Sequence, residues 1–174
     1  MLKPLVLLSG LVGVTLVSLP SSAHVTVNPR EATANSYAKL TFRVPHGCDG
    51  SPTTRLRVQF PEGFSSIRPM VHHSWQISIV KAELDEPYMD HGQQITERVS
   101  EIIWEAPEGA ALPDEFMDEF SVSARTPDKP GETVAIPAVQ ECEDGVSRWI
   151  QVAEEGQDPH DLEEPAPLLQ LVSR

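Results

Sequence analysis

Apolar and polar residues alternate through Ala38, Leu40, Phe42 and Val44, and again through Leu56, Val58 and Phe60. A two-residue period is the mark of a strand that buries one face. Runs of similar character recur at 24–27, 37–44, 55–60, 75–80, 95–104, 116–124, 133–139 and 146–152, separated by Pro, Gly, Asn and Asp. About eight short strands at this spacing predict an all-β fold, an antiparallel immunoglobulin-like or cupredoxin-like β-sandwich. Helical periodicity is scarce, and 16 prolines disfavour long helices. Pro61-Glu62-Gly63 and Pro107-Glu108-Gly109 predict tight turns, and 85–92 predicts a longer loop.

The first 23 residues break this pattern. Lys3, the apolar stretch from Leu5 to Val17, Pro20 and the small residues Ser21-Ser22-Ala23 read as a signal peptide that is removed on export. The division that follows is a signal peptide at 1–23, one β-sandwich domain at 24–153, and an acidic, Pro-bearing tail at 154–174. Leu168, Leu169, Leu171 and Val172 in that tail offer a last edge strand. No second apolar run is long enough to cross a membrane after signal cleavage. The location implied is periplasmic or otherwise extracytoplasmic.

The formal charge of −13, one unit more negative without Lys3, argues against nucleic acid as a partner. Cys48 and Cys142 are the two cysteines. In an oxidising compartment an even pair predicts a disulfide in preference to two thiolate metal ligands.

Cleavage after Ala23 makes His24 the first residue. Its α-amine and imidazole Nδ1 then close a six-membered chelate ring, a bite that suits Cu(II) and its preference for planar nitrogen and oxygen ligands. Ordinary pKa values of about 7.7–8.0 for the amine and about 6.5 for the imidazole leave few protons to displace near neutrality.

Strand parity suggests companions for it. If Phe120, Val122 and Ala124 face the core, Glu119, Ser121 and Ser123 face away, while Asp118 points inward with Phe120. Val25 and Val27 send His24 and Thr26 outward by the same reasoning. Trp149 alternates with Ile150 and Val152, which predicts that it too leaves the core face. Glu119 is therefore the expected oxygen ligand, ahead of Glu115 and Asp118. Of the adjacent His72 and His73, at most one faces His24, since neighbours on a strand point opposite ways. His46 is expected to play a turn or surface role, and His91 and His160 to sit in exposed loops.

The stretches His24-Val25-Thr26-Val27-Asn28-Pro29, Glu31 to Tyr37, Val44-Pro45-His46-Gly47-Cys48, Leu112 to Phe120, and Gln140-Glu141-Cys142-Glu143-Asp144-Gly145 leading to Arg148-Trp149-Ile150 together resemble the YcnI-like copper-binding proteins. The resemblance implies an exported β-sandwich that binds one copper ion through an N-terminal histidine, a monohistidine brace. It further implies an acidic side chain completing the coordination and a tryptophan, Trp149, close to the metal. It places the protein in copper trafficking or homeostasis as a metallochaperone, with a copper transporter or another exported copper carrier as partner. The competing classes are a copper-dependent redox enzyme, which a second imidazole such as His72 or His73 would suit, and a copper-independent adhesion or assembly module. No Gly-x-Ser-x-Gly elbow, free Cys–His pair or phosphate loop supports a hydrolase or nucleotide enzyme.

Overall fold

A computed structural model describes residues 24–90, 92–158 and 161–174. The predicted signal segment, His91 and His160 lie outside the described residues. Among those described, twelve strands form three sheets and there is no long helix. They are β1 (Thr26–Asn28), β2 (Glu31–Thr33), β3 (Tyr37–Val44), β4 (Thr53–Gln59), β5 (Ser65–Pro69), β6 (Gln76–Asp90), β7 (Gln93–Glu105), β8 (Asp118–Arg125), β9 (Thr133–Ala135), β10 (Ala138–Cys142), β11 (Val146–Trp149) and β12 (Leu168–Val172).

The alternation read along β3, β4 and β8 sets the sandwich. Leu40, Phe42, Phe120 and Val122 of a first sheet, ordered β1-β3-β8-β5, join a common core with Leu56, Val58, Ile102 and Trp104 of a second, ordered β11-β10-β4-β7-β6. All eight are fully buried. Burying each large apolar side chain contributes about 1.5–3 kcal/mol, before the entropy of ordering the chain is set against it.

A third sheet, ordered β2-β12-β9, closes one margin. Its middle strand is β12, parallel to β2 and antiparallel to β9, with Leu169 and Leu171 fully buried in the shared core. The stretch 168–172 thus sits at the centre of a sheet, and an isolated bridge from Pro165 to Gln151 ties down the segment before it.

Two local differences from the sequence reading have clear causes. The single run expected at 133–139 is split by Ile136-Pro137, so that β9 joins the third sheet and β10 the second. Proline lacks the N–H that an uninterrupted ladder requires. The loop expected at 85–92 is instead the distal part of a long β6–β7 hairpin, whose register shifts between Val80 and Lys81 and again between Glu83 and Tyr88. Each shift resets the alternation, and Pro87 falls inside the unpaired stretch, which is why no strand period shows in the sequence there.

Cys48 and Cys142 form a disulfide with their Cα atoms 6.0 Å apart, so neither is a thiolate ligand. It closes a loop with a sequence separation of 94 residues. In the chain-entropy account a loop of this size adds about 4–5 kcal/mol of stability.

Candidate metal centre

β1 and β11 are edge strands of the two main sheets, and His24 lies two residues before the start of β1. Its ring centroid lies 5.4 Å from that of Trp149 at the end of β11, with the planes inclined at 52°. The imidazole is half-buried by this contact, yet its ring nitrogens have no hydrogen-bond partner among the described residues. A nitrogen lone pair is therefore available to an incoming cation.

Trp149 corrects the parity argument. It is only 5% exposed and belongs to the core, whereas Ile150 and Val152 are 45% and 60% exposed. Alternation assigns residues to two faces but does not say which is inner. Where the two sheets part at an edge, a large ring is the residue best able to close the gap, provided its N–H finds an acceptor inside.

That acceptor is Gln140 of β10, a residue the sequence reading did not single out. The indole Nε1 donates to Gln140 Oε1 at 3.1 Å, while Gln140 Nε2 donates to the His46 carbonyl at 2.7 Å and to Thr53 Oγ1 at 2.8 Å. With 1% exposure, Gln140 has its amide oxygen and nitrogen all engaged. Three neighbouring elements are tied by this one side chain, and the indole plane against which His24 rests is fixed. Alternation does not single it out: Val139 beside it is buried as well, and the register with β4 shifts between Glu141 and Cys142, so the disulfide does not fix the side on which Gln140 lies.

The carboxylates are dispersed. Phe120, Val122 and Ala124 are fully buried, and Glu119 faces outward and is exposed. Glu119 lies opposite Arg43 of β3, which in turn lies opposite Thr26 of β1. Glu119 is thus two strand spacings from β1, about 9–10 Å. Asp118, on the inward parity, is half-buried, with Oδ2 3.2 Å from His72 Nε2 and Oδ1 accepting the Glu119 N–H at 2.8 Å. Glu115 is exposed in the preceding turn.

His72 stacks on Phe120 with ring centroids 5.1 Å apart and meets Trp75 edge-on, while His73 is exposed. His46 Nδ1 lies 2.6 Å from the Gly47 carbonyl and 4.0 Å from Asp114 Oδ1, and that oxygen accepts the Gly47 N–H at 3.0 Å. Through the His46 carbonyl, the His46–Asp114 pair is joined to the Gln140–Trp149 network. Among the described residues, no three His, Cys, Asp or Glu side chains converge on a point that would hold a metal ion.

Fold and site together define an immunoglobulin-like β-sandwich that holds a histidine with free ring nitrogens against a buried tryptophan at an open edge. The chain belongs to the DUF1775 family, described as a domain of unknown function, which it matches over residues 24–171. It is 30% identical over 146 residues to the copper-binding protein CutI of Bacillus subtilis (strain 168), an alignment covering 82% of this chain. The chain spans 62% of that relative's length. A crystal structure of an uncharacterized protein from Nocardia farcinica, described as having an immunoglobulin-like fold, matches with a TM-score of 0.67 at 29% identity. The match covers 87% of this chain and all of the other. These relatives agree with the YcnI-like resemblance and with the sandwich predicted from alternation. Among the described residues no helix is long and apolar enough to cross a membrane.

Proposed function

We propose that this is an exported copper carrier that binds Cu(II) through the amine and imidazole nitrogens of His24 after removal of residues 1–23. It exchanges the ion with a copper transporter or with another exported copper protein. The observation that carries the reading is the His24 imidazole, half-buried, free at its nitrogens and resting on an indole locked by Gln140. A relative whose name is copper-binding protein supports the choice of metal.

In this reading copper is cargo. Trp149 covers one side of the ion and limits its hydration without ligating it, because indole Nε1 is a donor already committed to Gln140. Glu119, the outward acid in register with Thr26, is the oxygen ligand of this reading, and ligation requires the edge at His24 and the Glu119 side chain to close a gap of about two strand spacings. The edge position leaves the ion open to a partner's ligands, as a transfer site must, and a carrier rather than an enzyme is what such a site suits.

The test compares protein beginning at His24 with protein carrying one extra residue before it. Cu(II) titration is followed by electron paramagnetic resonance and by quenching of tryptophan fluorescence. The extra residue removes the terminal amine from the chelate and is expected to weaken binding by about 100-fold or more, at least the upper end of what losing an outer-shell support of a ligand costs. Equal affinity overturns the brace. Glu119→Gln is expected to change the paramagnetic spectrum, whereas a change with Asp114→Asn alone assigns the oxygen to the loop beside His46.

A further inference from the structure

The outer face of the first sheet carries cations that form no ion pair among the described residues. Residues at outward positions stand in register across β3, β8 and β5: Tyr37 opposite Arg125, Lys39 opposite Ser123, Ser123 opposite Arg68, and Arg43 opposite Glu119. Among the described residues, Lys39, Arg43, Arg68 and Arg125 form no ion pair, and Glu119 is the sole acid at these outward positions. The setting makes this unusual. The chain has 26 acidic residues against 13 lysines and arginines, so an unpaired cation has many potential partners. On the second sheet Arg55, Arg57, Lys81 and Arg98 have carboxylates within reach, and among the described residues only Arg148 on the edge strand β11 forms no ion pair.

This face runs into a groove of about 620 Å³ between β5 and the distal half of the β6–β7 hairpin. Its floor includes the buried side chains of Phe64 and Ile67, and the exposed rings of Tyr37 and Tyr88 stand at its rim; the cations Arg68, Lys81, Arg98 and Arg125 line it against two acids, Glu97 and Asp128. β5 is the last strand of its sheet and pairs only with β8, so its other edge is unladdered. The register shift between Ser65 and Arg68 holds Ser66 at a φ of 51°, in the left-handed region that a non-glycine residue adopts at a cost. With that irregularity Ile67 is buried and Arg68 stands outward. An apolar floor, two free guanidinium groups and an open strand edge match the way an extended peptide is held. Backbone bonds form along the edge and side chains are recognised on alternate positions.

We propose that the outer face of the first sheet, together with this groove, docks an extended acidic segment of a partner protein. Carboxylates of the segment meet Lys39, Arg43, Arg68 and Arg125, with guanidinium forks taking carboxylates two oxygens at a time. A protein segment fits better than an anionic membrane, because a planar bilayer does not enter the groove and the acidic remainder of the molecule would be pressed against its headgroups. The charge layout also gives orientation: an acidic partner is repelled by most of the surface and attracted to one face. Row by row, that face continues through Arg43 to Thr26 of β1, two residues from His24. The inference stands on charge and shape and does not depend on copper being bound.

The experiment uses isotope-labelled protein beginning at His24, with poly-L-glutamate as the acidic probe and phosphatidylglycerol–phosphatidylethanolamine vesicles as the lipid comparison. Amide shift changes are expected along β3, β5 and β8 and around the groove, and not on the second sheet. Binding should weaken by about tenfold or more between low and physiological ionic strength. The triple variant Lys39→Glu, Arg68→Glu, Arg125→Glu is expected to lose binding by about tenfold or more while keeping its far-ultraviolet spectrum. The mapping on unaltered protein stands independently if that variant fails to fold. Absence of shifts, shifts on the second sheet, unchanged binding by the folded variant, or vesicles binding as tightly as polyglutamate would each overturn the proposal.

Discussion

On the second sheet Arg55 lies 2.6 Å from both Glu105 and Glu141, and Arg57 reaches Glu101 at 3.1 Å. On the first sheet Arg43 stands directly opposite Glu119 without pairing to it, and Lys39, Arg68 and Arg125 have no acidic partner among the described residues. The same residue types in the same kind of strand are thus used in two ways. Hydrogen bonding to Glu105 and then Glu141 raises the Arg55 pKa, against a smaller lowering by burial. A base whose folded pKa is raised contributes its stability at every pH below its unfolded value and loses it only as pH climbs through the folded one. For a guanidinium that window lies above the physiological range, so Arg55 keeps its charge throughout that range. The first sheet instead keeps its charges available to something outside the molecule. The central strands of the second sheet spend their charges on the fold, whereas the charges of the first sheet's outer face stay unpaired among the described residues.

The inner face of the second sheet follows the same rule of closure, and it gives the largest expected effect. Gln140→Leu removes the acceptor of the buried Trp149 indole and the donor to both the half-buried His46 carbonyl and Thr53 Oγ1, which keeps only its contact with Cys142 Sγ at 3.8 Å. A destabilisation of about 2–4 kcal/mol in urea unfolding is expected, from the usual penalty for stranded buried polar groups. If Gln140 positions the indole, the folded variant also shows a shifted Trp149 emission and weaker copper-dependent quenching. A loss below about 0.5 kcal/mol, well under the cost of even one stranded group, would show that the second sheet is not closed in the way described.

An intermediate effect is expected on its outer face. Glu101 is 8% exposed and its two carboxylate oxygens lie 3.1 and 3.3 Å from Arg57 Nε and Nη2. Glu101→Ala leaves Arg57 with only the more distant Glu141, at 3.7 Å. A loss of about 1–3 kcal/mol is expected for breaking a largely buried, charge-assisted pair.

How much of this was legible in the sequence differs between the sheets. The span of β3 and the inward set of β8 followed from alternation, because both strands bury one regular face. Trp149 was placed on the wrong side because periodicity carries no sign, and only the position of β11 at the sandwich edge supplies one. Gln140 was missed because the polar pair Gln140-Glu141 reads as surface, and the register shift between Glu141 and Cys142 keeps the disulfide from fixing the side on which Gln140 lies. The free cations were invisible for a different reason. Whether Arg43 meets Glu119, or Lys39 meets Ser123, is a matter of register between strands 70 or more residues apart, which no local pattern records. At the candidate site, the resemblance named both His24 and Trp149, and the ring contact between them was not legible in the sequence.

The smallest expected effect separates the two sheets most sharply. Arg43 and Glu119 are direct cross-strand neighbours of opposite charge, an arrangement that contributes roughly 0.2–1 kcal/mol when the side chains engage. They form no ion pair here, and both are exposed. A double-mutant cycle with Arg43→Met and Glu119→Gln should give a coupling energy near zero, below about 0.3 kcal/mol, that barely moves with salt. The Arg57–Glu101 cycle should return several times more. Equal couplings would mean that the first sheet also closes its charges internally in solution, and its outer face would then have little left to offer an acidic partner. Running the Arg43–Glu119 cycle again with Cu(II) bound adds a second reading. If Glu119 moves to the metal, the apo coupling stays near zero while Glu119→Gln gains a cost specific to the loaded protein.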